Sequence, residues 1–228
     1  MFDVQGTATD FHSTVCEEAR RISAGRHPSV DWGEVVRRWR ASYFTALEAA
    51  HGAGDGWVSV RSVYRDALDT VLDALDIAGL SGAERDEFTL AWQRLKPWPD
   101  VVPGLTRLKR AYTLATLSNA DVSAVVDISK RAGLPWDAIF AAEMAGVFKP
   151  DPAIYRMAAT YLGLDPAEIM MVASHKYDIR AAGGLGFATA FVARPLEFGV
   201  DGEADVAYSD EFDVNASDFL DLAGQLGR

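Results

Sequence analysis

Four short stretches hold the side chains with the capacity for chemistry. The first is Asp3-Val4-Gln5-Gly6-Thr7. An acidic residue leaving an apolar run, with a glycine three residues on, sets a carboxylate among backbone N–H groups. Kept ionised there, it is able to act as a nucleophile. The competing explanation is a turn aspartate that satisfies its own backbone. The second stretch is Leu117-Ser118-Asn119-Ala120-Asp121. It offers a hydroxyl and an amide to a bound anion, with Asp121 placed to cap the helix that follows. In the third, Phe148-Lys149-Pro150-Asp151-Pro152, a lysine between an aromatic and a proline has little freedom and can hold its charge near a carboxylate. The fourth is Ala173-Ser174-His175-Lys176-Tyr177-Asp178, where Asp178 opens a helix whose dipole favours an acid. Singly, each has an ordinary explanation as a turn, a cap or a solvated charge.

What sets them together is the elements that precede them. From Asp100 onward, short apolar runs recur at Tyr112–Leu117, Ala138–Ala141, Ile169–Ala173 and Phe187–Val192, with helical periodicity between them. Runs of this kind suit strands buried on both faces, so this part predicts βα units on a parallel sheet. Met1–Val4 reads as the tail of a further strand. From about Ser13 to Pro97 no strand is evident. Amphipathic helices are predicted near Glu34–Ala50, Val58–Ala78 and Ala83–Lys96, punctuated by glycine at Gly52–Gly56 and Gly82 and closed by Pro97-Trp98-Pro99.

The fold class expected is therefore α/β, a Rossmann-like parallel sheet core with an inserted helical cap. The core comprises 1–12 and 98–228, and the cap 13–97. Ligands of open parallel sheets bind at the carboxyl ends of the strands, so such an insertion sits over the site as a lid. The acidic stretch Leu196–Asp210 reads as a surface connection. Asp3 stands so early that either the first strand is short or the native start lies upstream.

Composition narrows the function. The 228 residues carry a formal charge of −11 with a pI near 4.8, which repels nucleic acid and anionic lipid. No apolar run approaches the roughly 20 residues that span a bilayer, and the first residues lack the layout of a signal peptide. A lone Cys16 excludes an internal disulfide framework and a multi-thiolate metal site, in keeping with a cytoplasmic location.

In this order and at these strand ends, the four stretches resemble the motifs of the haloacid dehalogenase superfamily. Those are a strand-end Asp followed by Gly-Thr, a Ser or Thr, a Lys, and a final acidic residue. The resemblance spans nearly the whole chain, helical insertion included. Most members resemble Mg²⁺-dependent phosphatases, which carry a second Asp where this chain has Gln5 and a further acid where it has Ser174. Gln5 cannot serve as the acid for a leaving oxygen, and Lys176 adds positive charge near the metal position.

The 2-haloacid dehalogenase branch is closer. Its Lys-Pro-x-Pro with a following tyrosine is similar to Lys149-Pro150-Asp151-Pro152 and Tyr155. Its Ser-Asn is matched by Ser118-Asn119, its cap Trp-Arg by Trp39-Arg40 on the first cap helix, and the aromatic before its last Asp by Tyr177.

The resemblance implies hydrolysis of short 2-haloalkanoic acids without metal or other cofactor. Asp3 attacks C2 and expels halide, and water then cleaves the aspartyl ester. Lys149 and Asp178 position that water, Asp178 helping to deprotonate it, and Thr7 holds Asp3 or the water in place. Ser118 and the backbone near Gln5 and Gly6 hold the substrate carboxylate, while Arg40, Asn119 and Tyr177 surround the halide. Tyr155 and Ser174 also belong to the implied substrate site, and the family's habit is a homodimer.

Where the branch commonly has a small polar residue, this chain has His175. It is expected to narrow the halide cradle and donate to it, favouring small halides and extending to fluoride. Other readings stay open at this point. They are the same chemistry on another activated C2 substituent such as a small cyclic amino acid, a Mg²⁺ phosphatase, and a silent binding protein that keeps the fold.

Overall fold

The computed structural model describes residues 1–51 and 57–227; the glycines at Gly52–Gly56 lie outside them. Its regular strands are β1 (Thr9–Asp10), β2 (Lys96–Pro97), β3 (Met170–Ala173), β4 (Ala188–Val192) and β5 (Val214–Ala216). β3, β4 and β5 run parallel in that order, with Met170 opposite Ala188 and Ala190 opposite Val214. The sheet continues past β3 through single parallel bridges. Phe2 joins both Val172 and Thr116, Ala115 joins Ala138, and Ser118 joins Ala141. The spatial order of the six segments is thus 138–141, 115–118, 1–3, β3, β4, β5.

The chain-start segment lies in the middle, and the strand order reverses beside it. That reversal is where open α/β sheets place their ligands. Backbone bonds fix Asp3 there: its N–H donates to Val172 O at 3.0 Å, and Phe2 N–H to Ala115 O at 2.8 Å.

Between β1 and β2 the described residues form four helices: α1 (Phe11–Ser23), α2 (Trp32–His51), α3 (Val60–Ala74) and α4 (Gly82–Thr89), followed by a 3₁₀ turn at Leu90–Gln93. Their shared interior is aromatic. Trp39, Tyr43, Tyr64, Phe88 and Trp92 are fully buried, with Tyr64 stacked on Trp92 at 4.1 Å and on Tyr43 at 4.2 Å. The rest of the chain supplies α5 (Val101–Leu108), α6 (Val122–Ala132), α7 (Ala142–Ala145), α8 (Pro152–Leu162), α9 (Lys176–Gly183) and α10 (Phe219–Gln225). Asp151 caps α8 through Ala153 N–H at 2.8 Å, with Pro152 at the first helical position, where its missing N–H costs nothing.

Several expectations need correction. The run Tyr112–Leu117 enters the sheet only from its later residues, since Tyr112 is 41% exposed. α1 was not expected, although Asp10 caps it through Ser13 N–H at 2.9 Å, and Arg40 consequently stands on the second helix of the insertion. Pro97 pairs with Thr9 in an antiparallel ribbon where the two crossings of the insertion meet.

The side chain of Asp121 does not bond the helix it precedes. Its carboxylate reaches across to the start of α3, accepting from Val60 N–H at 3.0 Å, Arg61 N–H at 2.9 Å and Ser59 Oγ at 3.0 Å. With Trp57 Nε1 also donating at 3.3 Å, a charged cap shared by four donors fastens the insertion to the sheet. Asp121→Ala is expected to lower the unfolding free energy by about 2 kcal/mol. Urea denaturation would show this, and an unchanged midpoint would deny Asp121 the role.

Candidate active site

The side chains at the carboxyl ends of the central segments converge on one narrow cavity, about 240 Å³, between sheet and insertion. It is lined by Asp3, Gln5, Ser118, Asn119, Lys149, His175 and Tyr177, and by Arg40, Tyr43 and Phe44 from α2. A larger recess of about 990 Å³ lies at the opposite ends of the strands. Its lining is largely aliphatic, including Leu108, Leu114, Leu164 and Met170, and it offers no comparable convergence of polar groups.

Asp3 is 4% exposed and fully engaged. Its Oδ1 accepts from Lys149 Nζ at 3.0 Å, and its Oδ2 from Thr7 Oγ1 at 2.7 Å; His175 Nδ1 lies 3.2 Å from Oδ2. Burial alone would drive the carboxyl toward its neutral form. Lys149 and His175 outweigh that and hold it well below the usual carboxylate range. Thr7 is itself fixed, because Ser174 N–H donates to its Oγ1 at 2.9 Å and Arg194 Nε to its carbonyl at 2.8 Å. Arg194 in turn forks onto Asp100, with both contacts at 2.9 Å.

Lys149 Nζ also donates to Leu117 O at 3.0 Å and pairs with Asp178 Oδ2. Burial disfavours its charge, but Asp178 and Asp3 together keep it an ammonium above its ordinary range. Asn119 holds the lysine's backbone from both sides, accepting from Lys149 N–H at 2.7 Å and donating to Lys149 O at 3.1 Å. One amide N–H of Asn119 is left over for a ligand. Asp178, wholly buried and close to Asp3, is pushed upward.

Arg40 is 5% exposed, framed by the rings of Phe44 at 4.6 Å, Phe11 and Tyr43 at 5.2 Å and Trp92 at 5.6 Å. Its Nη1 donates to Gln5 Oε1 at 3.3 Å and to Tyr64 OH, and its Nε has no partner. Among the described residues no carboxylate pairs with it. A guanidinium desolvated this way, with an unused donor and an opening onto the cavity, is built to receive an anion.

Not every residue expected at the substrate faces the cavity. Tyr155 is fully buried and donates to Asp178 Oδ1 at 2.6 Å, so it orients that carboxylate instead. Ser174 turns to Thr7, with Oγ···Oγ1 at 3.1 Å, and Thr7 and Gly6 also stand behind the wall. Asp178, expected to deprotonate water, has one oxygen on Lys149 and the other on Tyr155, and does not line the cavity.

His175 does line it, but both ring nitrogens are committed, so it narrows the cradle without a free N–H for halide. Tyr43, Phe44 and Tyr64 were not anticipated. The first two were findable, since positions three and four after Arg40 share its helix face. Glu197 was missed outright: it lies in the stretch read as surface, yet is 4% exposed and sits 2.7 Å from His175 Nε2.

An ionised aspartate thus stands at the switch point of a parallel sheet, cradled by a hydroxyl and by a lysine shared with a second aspartate. Comparison with known proteins gives the family. The model of the haloacid dehalogenase-like hydrolases matches residues 1–186, and the chain belongs to that family.

Among its relatives is the (S)-2-haloacid dehalogenase of Xanthobacter autotrophicus, 33% identical over 205 residues, covering 85% of this chain and 74% of that one. Among solved structures, the defluorinating L-2-haloacid dehalogenase Rha0230 is 38% identical with a TM-score of 0.93, covering 100% of this chain and 94% of that one. The L-2-haloacid dehalogenase from Xanthobacter autotrophicus with chloropropionic acid covalently bound is 26% identical, with a TM-score of 0.82 over 99% of this chain and 96% of that one.

Proposed function

We propose that this protein hydrolyses short 2-haloalkanoic acids to 2-hydroxy acids through an ester on Asp3, needing no metal. The observation that carries this reading is that Asp3 and Arg40 face the same narrow cavity, a nucleophilic carboxylate beside a buried guanidinium with an unused donor. The substrate carboxylate lies at Ser118 and the backbone near Gln5. Arg40, the spare N–H of Asn119 and the Tyr177 ring receive the halide as the C2–halogen bond breaks. Lys149 offsets the charge when an anionic substrate approaches anionic Asp3. Two like charges 4 Å apart repel by about 4 kcal/mol at an effective dielectric near 20, so a cation at this point is required.

Segment 13–97 acts as the cap of a core made of 1–12 and 98–228. Its contributions to the cavity are Arg40, Tyr43 and Phe44. The covalently bound chloropropionic acid in one relative supports the ester route, and the defluorinating relative supports the extension to fluoroacetate. The bulk of His175 and Phe44 limits the cavity to small substrates and small halides. The phosphatase alternative is disfavoured by side-chain chemistry: Gln5 and Ser174 stand where acids are needed.

Incubating the protein with racemic 2-chloropropionate or fluoroacetate in EDTA is expected to release chloride with lactate, and fluoride with glycolate. Only one enantiomer of the chloropropionate is expected to be consumed. Absence of halide from both substrates in a folded sample would overturn the reading, and phosphate release from an aryl ester only on adding Mg²⁺ would replace it.

A further inference from the structure

Gln5 forms a wall between two cavities. On one side lies the candidate active site with Asp3 and Arg40. On the other lies a second cavity of about 240 Å³, where the insertion meets α6. Among the described residues Gln5 alone lines both. Arg61, Tyr64, Trp92, Gln93 and Ala124 also line the second cavity, and Arg61 is exposed at its outer end. The side chain of Gln5 is held in the wall by its carbonyl end, where Oε1 accepts from Arg40 Nη1 at 3.3 Å and from Tyr64 OH at 3.2 Å. Both contacts are longer than usual for bonds of their kind, so the latch is weak.

The second cavity carries a donor with nothing to bond. Trp92 is 2% exposed, yet its Nε1–H has no partner, and an indole N–H can only donate. Its ring stacks on Tyr64 at 4.1 Å and lies 5.6 Å from the Arg40 guanidinium, whose Nε is likewise unpartnered. A desolvated, unpaired donor costs about 1–3 kcal/mol, which a ligand that accepts hydrogen bonds recovers. Asp121 lines the same cavity, but donors from Trp57, Ser59, Val60 and Arg61 already share its charge.

Resting on the reading above, we propose that the second cavity is the way out for halide, with Trp92 Nε1–H as the donor that receives it from Arg40. The order of the reaction calls for such a path. Halide breaks away in the first step, when the carbon skeleton is still esterified to Asp3 and fills a cavity with room for one small substrate. Arg40 holds the halide on the side of the insertion, beside Gln5. A swing of the Gln5 amide opens the wall there, and the anion passes to Trp92, then to Arg61 and solvent. Each stage offers an N–H donor, so the halide never stands bare in a dry interior.

Ala124→Leu tests the assignment, because Ala124 stands on α6, lines the second cavity and does not line the first. Chloride from 2-chloropropionate is read in two ways during a single turnover. Acid quench counts all chloride that has been cleaved, whereas a chloride-quenched fluorophore counts only chloride that has left the protein. In wild type the two traces are expected to coincide. In Ala124→Leu cleavage is expected to keep its rate, while free chloride appears roughly tenfold more slowly. Trp92→Phe keeps the ring stack and removes the N–H, and is expected to delay free chloride in the same sense. It alone decides should Ala124→Leu not fold. Coincident traces in folded Ala124→Leu, or a slowed cleavage step there, overturn the release path while the dehalogenase reading stands; coincident traces in folded Trp92→Phe overturn the part given to its N–H. A wild type that cleaves no halide overturns both readings.

Discussion

Asp3→Asn is expected to lower kcat/KM for 2-chloropropionate by roughly 10⁴-fold or more while the protein stays folded. An amide oxygen is a poor nucleophile, and among the described residues no other carboxylate lines the cavity to replace it. The structural cost is modest for a definite reason. Each buried cation that loses Asp3 keeps a second anion, Lys149 its contact with Asp178 and His175 its contact with Glu197. Thr7 Oγ1 still finds an acceptor in the amide oxygen. The loss of stability is therefore held to about 1–2 kcal/mol, the scale of one charge-assisted hydrogen bond. A thermal melt alongside a chloride assay separates the two effects. An Asp3→Asn variant that releases chloride at a tenth of the wild-type rate would remove Asp3 from the chemistry.

The polar residues that sit directly after apolar runs were readable from sequence, because a buried strand ending in polar residues delivers them to the carboxyl edge of the sheet. Asp3, Ser118 and Asn119 are of this kind, whereas Lys149 lies in a turn after α7 and was legible from its Phe-Lys-Pro setting. Arg40 was harder, standing near Arg37 and Arg38. The helix period separates them, since Arg37 and Arg38 both turn to Glu34, at 3.2 and 2.7 Å, while Arg40 turns inward.

What escaped was set by contacts distant in sequence. Glu197 sits in an acidic, glycine-bearing loop whose composition signals solvent, and only the folded chain shows it against His175. Asp121 satisfies every local rule for capping α6, yet spends its carboxylate on α3, some sixty residues away. β5 has three residues with Asn215 at its centre, too short and too polar to register as a buried run. The strand segments at 115–118 and 138–141 were recognised by hydrophobicity, but they pair through single bridges, which hydrophobicity does not encode.

Lys149→Met is expected to damage stability and activity together, in contrast to Asp3→Asn. Lys149 is 5% exposed and is the ammonium between Asp3 Oδ1 and Asp178 Oδ2. Methionine keeps much of the stem volume but leaves two desolvated carboxylates facing each other and Leu117 O without this donor. Breaking a buried ion pair from one side costs about 3–5 kcal/mol, because the remaining charge is uncompensated.

The molecule's way out is to protonate one carboxylate. Asp178 is the one to yield, being already pushed upward by burial and by the charge of Asp3, whereas Asp3 keeps His175. An acid whose folded pKa is raised above its unfolded value adds stability at low pH that is lost as pH rises through the folded pKa. The deficit of the variant is therefore expected to be smaller near pH 5 than near pH 7.5, as urea denaturation at the two values would show. Activity is expected to fall by roughly 10³-fold, since the repulsion between substrate carboxylate and Asp3 is no longer offset. A variant as stable as wild type at pH 7.5, or one within tenfold of its activity, would show that the charge of Asp3 is balanced from somewhere other than Lys149.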